Sequence, residues 1–348
     1  MRNRNSKKSK FKRLLKAIFL TLLILLLLLV GFSIFLYYYF KPSEKVEWGI
    51  TFSVPYAEQL GLDWKTVYED MLNDFPIKNF RVMTYWDRVE SEEGRFDLGE
   101  TNYQLDRLKA HGAKAYLILG KKQPRWPECY LPNWAKSLST DEVFEKEQIY
   151  IDKLVQEYKN NDVVEGFQIQ NEPLFNFGPD CPPITQSRLR DEIAKLKVQT
   201  SKPILVTDTG ELDFWYQSSH TGADILGVTM YHKVYNRFIG RTTYPYPGAY
   251  YRIKAGFVKL TGGSSRVFGV ELQLEPWFID GPFNVSSDEQ LKLFSAKDIK
   301  KQFDKAKNSG FERHYLWGVE WWNWMKDKQG NPTPWQTVRR LLEQDIRQ

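Results

Sequence analysis

Residues 166–173 read GFQIQNEP. Apolar side chains at Val163, Val164, Phe167 and Ile169 describe a buried strand, after which the chain places an amide, a carboxylate and a proline in succession. Asn and Pro are common turn residues, so a strand ending in a solvated turn accounts for the tripeptide. A carboxylate displayed at the mouth of a barrel accounts for it as well. The rest of the chain decides between the two.

From about residue 46, short apolar runs alternate with longer segments of helical period. The candidate strands are WGITFSV (48–54), NFRVMTYW (79–86), KAYLILG (114–120), VVEGFQIQ (163–170), PILVTD (203–208), ILGVTMY (225–231), RVFGVELQ (266–273) and RHYLWGVEW (313–321). This is the alternation of a parallel α/β domain. Eight βα units predict a closed (β/α)8 TIM barrel over residues 46–348, although a doubly wound open sheet shares the pattern. Polar and aromatic residues gather at the strand C-termini: Arg81 with Trp86, Gln170 to Glu172, Asp208, Tyr231, Glu271 with Gln273, and Trp321 with Trp322. A closed barrel brings all of these to one face, where such folds keep their active sites, and an open sheet scatters them.

Ahead of the barrel, residues 17–40 carry no charge and include ILLLLLV. About 20 apolar residues suffice to cross a hydrocarbon core. Residues 1–16 hold eight Lys and Arg and no acid, so the positive-inside rule predicts a cytoplasmic tail at 1–16, a transmembrane signal anchor at 17–40 and a single-pass protein whose main domain is extracytoplasmic. A cleaved signal peptide is the rival, but its apolar region runs only about 7 to 15 residues, and no A-x-A site follows here. The run FLYYYF reads as an interfacial aromatic belt.

Setting aside those eight cations leaves 41 Lys and Arg against 43 Asp and Glu, so the folded part is slightly acidic and nucleic acid is not an expected partner. Two cysteines, Cys129 and Cys181, exclude a disulfide scaffold and a four-Cys zinc site. They fall in the loops after the third and fourth strands, where one disulfide would tie adjacent loops of the same face. The four histidines form no pair at metal-ligand spacing, and no metal or organic cofactor is expected.

Glu172 and Glu271 then stand out as two carboxylates on the fourth and seventh strands. Glu271 lies inside the apolar run VFGVEL, where an unpaired charge is costly. Cleavage of a glycosidic bond requires such a pair, one group to protonate the leaving oxygen and one to attack or to activate water.

The NEP at strand four, the Glu on strand seven, the aromatic WGVEWW at strand eight and the segment FRVMTYWDRVESEEGRFD followed by NYQLDRL together resemble the clan A glycoside hydrolases, retaining TIM-barrel enzymes, over essentially all of residues 46–345. The resemblance implies Glu172 as general acid/base and Glu271 as nucleophile, with Asn171 on the sugar 2-hydroxyl. It implies that Arg81 and Tyr231 hold Glu271 ionised, and that Trp322 or its neighbour Trp321 forms the platform under the sugar ring. Apart from the resemblance, His232, next to Tyr231, is a candidate to hydrogen-bond substrate. The sequence departs from that group where many members place a His near the end of strand three: here LILGKKQPRWPE offers Lys121 and Lys122. Glu275, four residues beyond Glu271, is the alternative nucleophile.

The expectation is a membrane-anchored, extracytoplasmic retaining glycoside hydrolase acting on a β-linked oligosaccharide or polysaccharide. A catalytically inactive carbohydrate-binding or scaffolding barrel, and a transglycosylase sharing the covalent step, remain open readings. The sequence names no protein partner.

Overall fold

The computed structural model describes residues 2–175, 181–236, 240–278 and 281–346. Residues 347 and 348 of the expected domain lie outside the described residues. Among the described residues there are ten strands: β1 (Glu47–Phe52), β2 (Asn79–Met83), β3 (Lys114–Leu119), β4 (Val164–Ile169), β5 (Ile204–Asp208), β6 (Ile225–Met230), β7 (Lys233–Asn236), β8 (Gly240–Thr243), β9 (Arg266–Gln273) and β10 (Arg313–Trp317). Eight of them close a parallel barrel in the order β1-β2-β3-β4-β5-β6-β9-β10, with β10 pairing back to β1. The open sheet is thereby excluded.

The floor of the barrel is filled by Tyr116, Leu205, Ile225, Phe268, Val270 and Tyr315, all fully buried. Two of these rings need room that only glycine leaves. A Cβ at Gly49 would sit 2.5 Å from the Tyr315 ring, and one at Gly166 would sit 2.4 Å from the Tyr116 ring. Around the barrel, amphipathic helices bury one face, and several begin at side-chain caps. Asp63 caps Trp64–Asp74, while Ser139 and Ser295 form capping boxes at Thr140–Tyr158 and Ala296–Ser309.

Two local features differ from the sequence reading. The apolar run at 313–321 does not continue as strand: β10 stops at Trp317, Gly318 takes φ 125°, and a helix spans Val319–Asp327, so Trp321 and Trp322 are helical. The β7–β8 hairpin after β6 is antiparallel and lies outside the barrel. Its four-residue strands carry too little apolar patterning to announce themselves.

The basic segment and the apolar segment form one helix, Arg2–Tyr39. Its portion from Phe11 to Tyr39 is long and apolar enough to cross a membrane, and the most apolar stretch is not buried by the protein. Its end is docked on the barrel. Leu36 is buried against Gly256, where a Cβ would approach the Leu36 carbonyl oxygen to 2.2 Å. The Arg252 guanidinium lies 4.0 Å from the Tyr37 ring centre, and Phe40 meets Phe311 edge-on at 5.9 Å.

Candidate active site

At the end of β4 the backbone enters a conformation that non-glycine residues rarely adopt: φ is +56° at Gln170 and +43° at Glu172. Surrounding groups over-determine that shape. Gln170 N–H donates to Leu119 O at 2.7 Å, its side-chain oxygen accepts from Lys122 N–H at 2.9 Å, and its amide donates to Glu147 Oε1 at 2.8 Å. Gly120 leaves space for that amide, since a Cβ there would sit 2.4 Å from it. Asn171 N–H donates to Lys122 O at 2.8 Å, Glu172 N–H to Thr207 Oγ1 at 2.7 Å, and Lys122 Nζ to Glu172 O at 2.9 Å. The tripeptide is a fixed platform rather than a solvated turn.

Glu172 is 8% exposed and Glu271 3%. Burial pushes the Glu172 carboxyl well above the ordinary carboxylate range, with Glu128 and Glu271 adding to the rise and Lys122 opposing it. Burial also raises Glu271, but here Arg81 opposes most strongly, followed by the Tyr231 hydroxyl, which donates to Oε2 at 2.8 Å. The two acids therefore differ in kind: only Glu271 has a cation and a donor arranged for its anion.

Arg81 reaches Glu271 by field rather than by contact. Its guanidinium donates to Gln168 Oε1 at 2.7 and 3.0 Å, to Thr51 Oγ1 at 3.1 Å and to the carbonyl of Val270 at 2.7 Å, directly preceding Glu271 in the chain. Tyr231 is held from behind, its N–H donating to Glu211 Oε1 at 2.6 Å and its carbonyl accepting from Lys305 Nζ at 3.0 Å. His232 N–H donates to Gln273 Oε1 at 2.8 Å at the base of the hairpin, and burial lowers the pKa of its ring.

Trp321 and Trp322 lie on the helix that follows β10. Both are fully buried, and their indole N–H groups donate to Gln290 Oε1 at 2.7 Å and to Leu274 O at 2.9 Å. The aromatic at the end of β10 is Trp317, clustered with Met83, Tyr85, Ile118 and Tyr130.

Several site residues were not singled out in the sequence. Arg125 pairs with Glu275 and, at 2.6 Å, with Glu320, while its guanidinium lies 4.0 Å from the ring centres of both Trp317 and Tyr56. Glu275 is thus committed to an ion pair, and burial raises it to about 7. Glu128 enters from the loop after β3, raised to about 8 by burial and by Glu271. The signal available for Glu128 was its place beside Cys129, which bonds Cys181 with a Cα–Cα distance of 5.5 Å and so draws that loop over the end of β4.

Among the buried polar atoms here without a hydrogen-bond partner in the protein are Asn171 Nδ2, Glu271 Oε1, Glu128 Oε2, Glu275 Oε2 and Arg125 Nε. The Asn171 amide lies close enough to favour both anions without completing a bond to either. Such atoms are rare in native interiors and mark a place for a polar ligand. Among the described residues, no three His, Cys, Asp or Glu side chains are grouped as a metal site. A wide depression lined by Leu105, Lys109, Glu157 and Val163 opens at the opposite, N-terminal end of the strands and holds none of these groups.

No family model matches the chain, and no curated protein matches it. Solved structures do share its fold. Native xylanase 10B from Thermotoga maritima aligns with a TM-score of 0.57 at 15% identity, covering 90% of this chain and 98% of that one. A GH5_18 protein from Bifidobacterium longum subsp. longum aligns with a TM-score of 0.61 at 12% identity, covering 86% and 79%. Xylanase 10B from Thermotoga petrophila, solved in complex with xylobiose, aligns with a TM-score of 0.57 at 14% identity, covering 87% and 95%. The chain has the barrel fold that its resemblance to clan A glycoside hydrolases implies.

Proposed function

We propose that this protein is a retaining glycoside hydrolase that cleaves a β-linked glycan by double displacement, with Glu172 as general acid/base and Glu271 as nucleophile. The observation that carries the reading is the unequal treatment of two buried carboxyls at one barrel mouth. Glu172, lifted by burial and by neighbouring acids, begins protonated and delivers its proton to the leaving oxygen. Glu271 keeps a phenol on Oε2 and the Arg81 field behind it, which leaves the unpartnered Oε1 to attack the anomeric carbon. Water then hydrolyses the glycosyl-enzyme, with Glu172 now taking the proton.

Asn171 supplies a free amide donor beside the pair, suited to a sugar hydroxyl whose acidity grows as the transition state acquires positive charge. The apolar N-terminal helix serves as a retained anchor that places the barrel outside the cytoplasm. Its docked end, at Leu36 and Phe40, favours a fixed mount over a loose tether.

The test uses the full chain with a panel of β-linked oligosaccharides and aryl β-glycosides, following the anomeric configuration of the product. Release with retained configuration is expected. Glu271→Ala should lose turnover and be partly rescued by azide, giving a product of inverted configuration. Glu172→Gln should lose natural glycosides yet keep the first step on an aryl glycoside whose leaving group needs no proton. Full activity in Glu271→Ala would overturn the assignment.

A further inference from the structure

We propose that Glu128 is a substrate-contacting specificity residue of this same site, and that the sugar it selects carries a free amine. The inference rests on the glycosidase reading above and names its substrate class.

Glu128 is held in place by its own loop. Residues Lys121 to Tyr130 double back on themselves, with Lys122 bridged to Cys129 and with Tyr130 N–H donating to Lys121 O and Gln123 N–H to Glu128 O, both at 2.9 Å. Glu128 adopts φ +69°, and its N–H donates to Arg125 O at 2.7 Å. The disulfide at the next residue ties this loop to the one after β4. From the same loop Lys122 reaches the Glu172 carbonyl, which sets this loop against the end of β4 beside the carboxylate pair. Each of Glu172, Glu271 and Lys122 exchanges charge interactions with Glu128.

The site lacks positive charge. Five acids, Glu128, Glu172, Glu271, Glu275 and Glu320, stand against three cations, each already engaged by protein groups though Arg125 Nε keeps no partner. Arg81 serves Gln168, Thr51 and the Val270 carbonyl. Lys122 Nζ serves the carbonyls of Glu172 and Phe175, and Arg125 serves Glu275 and Glu320.

Independent of the acids, Asn171, only 1% exposed, leaves its amide nitrogen unpartnered beside the unpartnered Oε2 of Glu128. The Asn171 amide calls for an acceptor, such as a sugar hydroxyl, and the Glu128 oxygen calls for a donor. An ammonium group answers the charge deficit and offers donors alone, as a lysine does. A hydroxyl adds no charge, and an N-acetyl group offers a single neutral donor.

The experiment compares β-1,4-linked oligomers of glucosamine, N-acetylglucosamine and glucose, of equal length, on the full chain in detergent at mildly acidic pH, where the amines are charged. Both cleavage and calorimetric binding are read. A charged hydrogen-bonded contact predicts a preference of about 10- to 100-fold for the glucosamine oligomer. That ratio should collapse in Glu128→Gln and return in part in Glu128→Asp. Equal treatment of the three oligomers by the wild type, or an undiminished preference in Glu128→Gln, overturns the proposal. Should Glu128→Gln not fold, the wild-type ratio decides alone. Cleavage without preference defeats the amine site and leaves the hydrolase reading standing. Preferential binding without cleavage supports the amine site and defeats hydrolysis, and neither binding nor cleavage defeats both.

Discussion

The phenol of Tyr231 donates a 2.8 Å hydrogen bond to Oε2 of Glu271, and the other oxygen of the same carboxylate has no partner. One oxygen is anchored and the other left open. The asymmetry orients the carboxylate and favours its anion, as a nucleophile requires.

Removing the anchor should therefore be costly in a defined way. A hydrogen bond to a charged group contributes about 1.5–3 kcal/mol, so Tyr231→Phe is expected to lower kcat about 10- to 100-fold. The hydroxyl holds the Glu271 pKa down. Its loss must raise that pKa, moving the acid limb of the kcat/KM profile to higher pH. A slower enzyme with an unmoved acid limb would show that Tyr231 acts in some other way.

Lys121 and Glu147 form an ion pair at 2.9 Å with side chains 0% and 1% exposed, and Glu147 also accepts from the Gln170 amide. Breaking one side of such a pair leaves a buried charge and costs about 3–5 kcal/mol. Lys121→Met should lower the unfolding free energy by that order in urea titration. Because Gln170 holds the strained approach to Glu172, activity should fall before global unfolding begins. A second change, Glu147→Gln, should recover part of the stability, and its failure to do so would contradict the buried-charge account.

The disulfide closes a separation of 52 residues between the two loops flanking the site. The chain-entropy relation gives about 4 kcal/mol for a loop of this length. Cys129→Ser with Cys181→Ser should lower the urea midpoint accordingly. Because Glu128 rides on the same loop, substrate affinity should weaken more than turnover. Peptide mapping without reductant should recover the two cysteines joined, and two free thiols would contradict the bond.

Much of the fold was legible because local chemistry and tertiary role coincide. The eight apolar runs supply the eight barrel strands. The tryptophans at 321 and 322 misled because an apolar run cannot by itself separate strand from helix, and the break lies in the backbone at Gly318. Arg125 meets partners 150 and 195 residues away at Glu275 and Glu320, a pairing no local period encodes. Glu128 was hidden for the same reason: its neighbours Glu172 and Glu271 belong to other strands, and only barrel closure brings them together.

The raised carboxyls make a prediction about stability and pH whose sign follows from linkage. Glu128 titrates near 8 in the folded protein and near the ordinary glutamate value when unfolded. Its folded form therefore binds a proton over a window from about pH 4.5 to about pH 8 in which the unfolded form has released it. The stability this contributes is fully present below that window and is lost as pH rises through it. Glutamine cannot ionise and does not suffer the loss. Glu128→Gln should match the wild type near pH 4.5 and be the more stable protein above pH 8, by at most about 5 kcal/mol, a figure that structural relaxation reduces. Glu275→Gln should show no such gain, because it also removes the partner of Arg125. Thermal melts of the three proteins across this range would measure the difference, and a Glu128→Gln curve parallel to the wild type at every pH would mean that Glu128 is ionised throughout.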